Sequence, residues 1–269
     1  MPLGLVWLFS GVYRILLVTM NSKKFPAFGF QDYVIGAGFD LVTIALFFLP
    51  FIALLFLPLP ERLERFRFWI KLLLFSCGTF LVFVFNGWDV AYFSYTAKRT
   101  SFDYFVYMLT NTETSSLAGD FIAEFWWLIG FFIVSLSISV WSFVKVKSAP
   151  ISWKLRRNWI RFLFIVATFV VIGRGGFQLK PIGIIEATNY SSLSNAPAVL
   201  NSAFTIIKTM GFKGLEDKKY FEDTELNAIF KPIQSSQAQA FLPKGTNVCF
   251  ILLESFGTVY CGPNSPESY

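Results

Sequence analysis

One carboxylate at the end of an apolar run is the strongest candidate for chemistry in this chain. The run is Asn247-Val248-Cys249-Phe250-Ile251-Leu252-Leu253-Glu254-Ser255-Phe256. It is short, apolar and rich in β-formers, which predicts a buried strand. It stops on the carboxylate of Glu254 and the hydroxyl of Ser255. In open α/β sheets, ligands bind in the crevice outside the carboxyl ends of the strands. A Glu there can hold a hard divalent cation or position a substrate. It can equally begin a solvated turn, since carboxylates prefer water. Pattern alone leaves both readings open.

Other chemistry is scarce. The chain has no His, which removes Ser-His-Asp and Cys-His catalysis and most zinc enzymes from what these residues can build. Of the three Cys, Cys77 lies in an apolar span and reads as a small hydrophobe. Cys249 lies in the expected strand and Cys261 in the loop after it. Their spacing gives neither a disulfide framework nor a zinc pattern. Gly173-Arg174-Gly175-Gly176 follows no strand and contains no G-x-G-x-x-G, so it is not a dinucleotide fingerprint. It reads as a helix exit into an irregular turn.

The elements that must position Glu254 are set by composition. Of 269 residues, 55% are hydrophobic, 19% aromatic and only 15% charged, against about 25% charged in soluble domains. Mean hydropathy is +0.56. This is the composition of a membrane protein. The net charge of +6 does not point to nucleic acid, because the basic residues cluster beside apolar spans, where they set topology.

Five stretches approach the ~20 residues that cross a bilayer: Leu3 to Met20, Tyr33 to Pro58, Phe68 to Phe85, Phe121 to Val144, and a short one from Trp159 to Ile172. The first lacks the charged n-region and cleavage site of a signal peptide. Arg62, Arg65 and Arg67 follow the second span, and Lys145, Lys147, Lys154, Arg156 and Arg157 follow the fourth. By the positive-inside rule these loops are cytoplasmic. The N-terminus is then inside, and everything after the fifth span is extracytoplasmic.

Intramembrane charges are costly and usually paired. At ~1.5 Å per residue, Arg14 and Asp40 fall at the same depth, roughly 10 Å below the outer surface. A salt bridge between them is expected, with Glu124 also within reach of Arg14. Two roles are open: an ion pair that fixes helix register, or a polar pocket for a lipid headgroup. The outer loop from Gly87 to Asp120 mixes aromatics and charge, as a lipid-lying amphipathic helix would, or a surface that docks the extracytoplasmic domain. Further on, Asn195 is an N-cap candidate with Pro197 in the first turn. Val199, Leu200, Phe204, Ile207 and Met210 then recur at helical spacing. This predicts an amphipathic helix, on the membrane or against the following domain. Gly211 to Lys244 reads as a linker.

Taken in order, these pieces resemble the membrane-anchored sulfatase-like enzymes of the alkaline phosphatase superfamily, of the lipoteichoic-acid synthase and phosphoglycerol transferase type. Phe39-Asp40 is similar to that family's FD. Lys98-Arg99-Thr100 is similar to its outer-loop KRT. Arg174-Gly175-Gly176-Phe177-Gln178-Leu179-Lys180-Pro181 is similar to RGGxQLKP. Asn201-Ser202-Ala203-Phe204 through Lys208-Thr209 resembles NSPFxxxKT, with Ala203 in place of Pro. Asn247 through Phe256 resembles NVVxIxLESF.

The resemblance implies an α-helical integral membrane domain of five transmembrane helices over residues 1–173. An extracytoplasmic juxtamembrane helix and linker follow over 174–245, and the start of a sulfatase-like α/β domain over 246–269. It implies a bacterial cytoplasmic membrane and Glu254 as a ligand of a divalent metal (Mn²⁺, Mg²⁺, Ca²⁺ or Zn²⁺). The implied reaction is phosphoryl or sulfuryl transfer through a covalent Thr or Ser intermediate, with an anionic lipid headgroup as substrate and no nucleic acid partner. In that family a TPF-like nucleophile motif comes shortly after the strand, and Asp and His ligands much later. Neither Ser255 nor Ser265 sits in such a motif. One Glu does not make a catalytic metal site, which takes about three protein ligands. The chain as given is therefore expected to be an inactive N-terminal part of an enzyme. The competing reading is a non-enzymatic membrane scaffold or small-molecule carrier, although no inverted repeat of the kind carriers use is visible.

Overall fold

Apolar runs too long for a soluble core determine the architecture. A computed structural model describes residues 2–58, 61–111, 119–146 and 156–211, with isolated positions beyond (220, 221, 225, 229, 230, 247 and 249). Helices dominate. The long ones are α1 (Pro2–Met20), α2 (Phe30–Phe47), α3 (Leu49–Phe56), α4 (Glu64–Thr96), α5 (Phe102–Thr110), α6 (Trp126–Lys145) and α7 (Arg156–Arg174). Three short ones follow: α8 (Ala187–Tyr190), α9 (Ala196–Val199) and α10 (Ser202–Thr209). Among the described residues there is no β-strand. The strand expected over Asn247 to Phe256 lies outside them, apart from Asn247 and Cys249, which carry no regular structure. The chain divides into two units, Met1–Phe212 and Lys213–Tyr269.

Among the described residues four helices, α1, α2, α4 and α6, are long and apolar enough to cross a membrane. The fifth expected span is helical as α7, but Arg156, Arg157, Arg161 and Arg174 within its 19 residues keep it out of that group. The second expected span is two helices. It breaks at Phe48, and Pro50 sits in the first turn of α3, where its missing N–H costs nothing. The third runs well past Phe85: α4 has 33 residues, or about 50 Å at 1.5 Å per residue, against ~30 Å of hydrocarbon. Asn86 and Asp89 are therefore helical, not part of a loop. A left-handed Ala97 (φ 54°) ends α4. The fourth span bends at Phe125, between helical residues 119–124 and α6.

Helix α1 packs against α2, α4 and α6, and α7 lies along α2 and α3. Phe fills the interior: Phe75 stacks on Phe143 (centroids 5.1 Å apart, 18°), and Phe51 tilts against Phe75 at 5.4 Å. Tyr13 and Ser135 share a buried hydrogen bond of 3.2 Å between α1 and α6. Leu73, Ile133, Trp141 and Phe164 are exposed on the outside, as lipid-facing side chains are. At one end, Arg67 donates from Nε to Leu54 O (3.1 Å) and from Nη2 to Leu55 O (2.5 Å), capping α3, and pairs with Glu64 at 3.2 Å.

After α7 the chain turns back on Gly175 (φ 83°) and Gly176 (φ 130°). Arg174 Nη2 donates to the carbonyls of Gln178 (3.0 Å) and Leu179 (2.9 Å), and Gln178 Nε2 returns to Arg174 O at 3.1 Å. The single amphipathic helix expected after Asn195 is instead the pair α9 and α10. Leu200 turns extended (φ −65°, ψ 157°), and Asn201 caps α10 by accepting from Ala203 N at 3.0 Å. Helix α10 packs against α2, α4 and α5. Ser202 to Ile206 are buried there, and Phe204 joins Phe39, Val42 and Val199 in a second apolar cluster.

Candidate functional site

A helix C-terminus leaves its last carbonyls without intrahelical partners. In α9 they are buried, so donors must come from elsewhere. Two arginines supply them. Arg14 on α1 donates from Nη1 to Ala198 O, to Val199 O (2.5 Å) and to Leu200 O (3.1 Å). Arg99, in the loop after α4, donates from Nε to Pro197 O (2.7 Å) and from Nη2 to Leu200 O (2.8 Å) and Ala198 O (3.4 Å).

Each cation has its own carboxylate. Arg14 Nη2 donates to Asp40 Oδ1 at 2.6 Å, with the two side chains 3% and 1% exposed. Arg99 Nη1 lies 3.5 Å from Asp89 Oδ2, and Asp89 is fully buried. Two positive and two negative charges thus cancel in a region where an unpaired charge would cost several kcal/mol. Burial lowers the Arg99 pKa to about 10; Asp89 opposes this and Arg14 adds to it. Arg99 therefore stays charged at neutral pH.

Amides and hydroxyls close the network. Asn201 Nδ2 donates to Asp40 Oδ1 at 2.7 Å. Asn86 Oδ1 accepts from Ser202 N at 3.2 Å, while Asn86 Nδ2 reaches Asn201 Oδ1 at 3.4 Å. Arg99 Nη1 donates to Ser202 Oγ at 2.6 Å. Thr100 donates to Asp89 from both its N–H and its hydroxyl. Thr205 Oγ1 donates to Thr100 O (3.0 Å), and Phe102 N to Thr209 Oγ1 (2.8 Å). Gly36 allows the closest approach: a Cβ there would stand 2.6 Å from Arg14 Cζ and Nε, while Arg14 Nη2 also donates to Gly36 O at 2.9 Å.

With its charges paired and its carbonyls met, this cluster is built to hold segment 195–211 in the bundle. The expected Arg14–Asp40 pair is present. Carbonyls of the chain itself and Asp40 take up both Nη atoms of Arg14, while its buried Nε has no hydrogen-bond partner. Glu124 does not share Arg14; it accepts from Tyr95 Oη at 3.4 Å. Arg99, Thr100 and Phe102 of the outer-loop segment engage α10 and the residues just before it.

Sequence reading missed Asn86, Asp89, Asn201 and Ser202 as members of the joint. Two signals were present. Asn86 and Asp89 stand one helical turn apart before apolar Val90, Ala91 and Phe93, and Asn201-Ser202 has N-cap character. A cleft of about 240 Å³ opens beside the joint, lined by Lys98, Arg99, Ser101, Pro197 and Thr209 among others. Glu254 lies outside the described residues, and among those described no three His, Cys, Asp or Glu side chains gather as metal ligands would. No known family profile, curated protein or solved structure matches the chain.

Proposed function

We propose that residues 1–212 form the membrane anchor of an extracytoplasmic, metal-dependent sulfatase-like enzyme, a phosphoglycerol or phosphoryl transferase or a sulfatase acting on lipid headgroups or envelope polymer. One observation carries the reading. The short segments on which the family resemblance rests are far apart in sequence, yet several meet in the joint. Phe39-Asp40, Arg99-Thr100 and Asn201-Ser202 are in direct contact there, and Phe39 packs on the edge of Phe204 at 5.6 Å and 70°. Such a joint would hold the chain after residue 211 in a fixed place relative to the membrane, as an anchored catalytic domain needs.

In this reading α7 is a fifth span with its arginines snorkelling, the N-terminus is cytoplasmic, and the joint faces outward. Glu254 ends the first strand of the catalytic domain as a ligand of Mn²⁺, Mg²⁺, Ca²⁺ or Zn²⁺, a role that rests on the resemblance. The metal, when bound, polarises a phosphoryl group and favours ionisation of a hydroxyl nucleophile.

The test expresses the complete open reading frame in bacterial membranes and supplies fluorescent phosphatidylglycerol with Mn²⁺. Release of labelled diacylglycerol, abolished by Glu254→Ala, is expected. A reporter fused at Tyr269 should be active outside the cytoplasm. Correct topology without lipid cleavage favours a non-enzymatic scaffold, and a cytosolic reporter overturns the proposal.

A further inference from the structure

Six of the nine residues of helix α5 sort onto three faces, and Tyr107, 56% exposed, stands beside Asp103 with its hydroxyl accepting from Asn111 Nδ2 at 2.6 Å. Tyr104 and Phe105 turn toward α4: Phe105 meets Phe85 edge-on at 5.2 Å and Trp88 at 6.2 Å, and Tyr104 lies 5.5 Å from Tyr92. Leu109 and Val106 form an exposed apolar flank, 68% and 39% accessible. Asp103 and Thr110 form an exposed polar flank. At 100° per residue these flanks are adjacent rather than mixed. A helix in one uniform solvent has no use for that division of its exposed surface. A helix at a boundary between apolar and aqueous layers does.

The contacts also fix its level. The α4 residues that α5 meets lie where Phe85 is followed by Trp88, Tyr92 and Tyr95 along the helix. Tryptophan and tyrosine concentrate at the membrane–water interface. Trp126, 70% exposed at the start of α6, lies at the same end of the bundle, because α5 links the end of α4 to the approach to α6. The apolar flank of α5 therefore continues the exposed apolar surface of helices long enough to cross a membrane.

We propose that α5 is embedded in the interfacial layer of the bilayer, with Leu109 and Val106 against acyl chains and Asp103 and Thr110 toward headgroups and water. The proposal does not depend on the enzymatic reading. It makes residues 99–110 a strap: one end is bonded to α10 through Arg99, Thr100 and Phe102, and the other is seated in lipid.

The test uses the full chain with Cys77, Cys249 and Cys261 replaced by Ala. Leu109→Cys, Val106→Cys or Asp103→Cys is then labelled with an environment-sensitive fluorophore in phosphatidylcholine–phosphatidylglycerol vesicles. Lipids carrying a nitroxide near the top of the acyl chain should quench labels at 109 and 106 at least about twofold more than the label at 103, and aqueous iodide should show the reverse order. Iodide quenching at 109 overturns the proposal. So does a label at 109 that neither agent reaches, since protein would then cover the face. If labelled variants fold poorly, a lipid-soluble photoactivatable carbene on the unmodified chain reads the same surface. Label on residues 106 and 109 is expected, and its absence is equally fatal.

Discussion

Removing Arg14 tests the joint most directly. Arg14→Met keeps much of the side-chain volume, but it leaves the Asp40 carboxylate with only Asn201, the Val199 carbonyl without its arginine donor and the Ala198 carbonyl with only the 3.4 Å contact from Arg99. Asp40→Leu leaves a buried guanidinium that keeps those carbonyls but has lost its counter-charge. Breaking a buried pair from one side costs about 3–5 kcal/mol. At about 2–4 °C per kcal/mol for a unit of this size, each single variant should melt roughly 6–20 °C lower. The double variant carries no unpaired charge. It still leaves the α9 carbonyls short of donors, so it should not return to the parent value. It should nevertheless be about 2 kcal/mol or more stabler than the sum of the singles predicts. The assay is thermal unfolding of detergent-solubilised protein followed by tryptophan fluorescence, with trypsin cleavage at Lys208 reporting release of α10. Additivity within about 0.5 kcal/mol would show that the two side chains do not act on each other.

Gly36→Ala should lower the melting temperature by the equivalent of about 1–3 kcal/mol, because its Cβ would meet a guanidinium pinned by its own hydrogen bonds. In an Arg14→Met background the same change should cost almost nothing, and equal effects in both backgrounds would refute the steric argument. Arg99→Lys should expose Lys208 to trypsin about tenfold faster, since one ammonium cannot span the Pro197 and Leu200 carbonyls together with Ser202. Unchanged protection would mean that charge alone, not the planar fork, secures the segment.

The Arg14–Asp40 pair was legible in the sequence because depth is simple arithmetic on a helix. Two opposite charges in adjacent spans, at matching distances from one surface, have few other partners in an apolar layer. Asp89 was not legible for the complementary reason. Hydropathy ends the span at Phe85, so Asp89 reads as loop, whereas here Asn86 and Asp89 are buried helical residues, Asn86 met by Ser202 more than a hundred positions away and Asp89 by Arg99 and Thr100 just beyond the helix end. Glu124 misled because its depth suited Arg14, but depth says nothing about which face of the bundle a residue occupies. The break at Leu200 was hidden by apolar spacing that runs on across two helices. Only the capping character of Asn201 marks the second start. The expected fifth span is a helix, α7, whose four arginines leave it outside the group long and apolar enough to cross a membrane.

Most of what Arg14 and Arg99 grip in residues 197–200 is backbone oxygen. Any amino acid at those four positions presents the same carbonyls, provided the local path of the chain is kept. The grip is thus indifferent to spelling and sensitive to shape. Substitutions at Pro197 to Leu200 that preserve the bend and fit the buried space around Ala198, Val199 and Leu200 should keep the grip, whereas inserting or deleting one residue between Asn195 and Asn201 would slide every oxygen out of register and loosen the whole attachment.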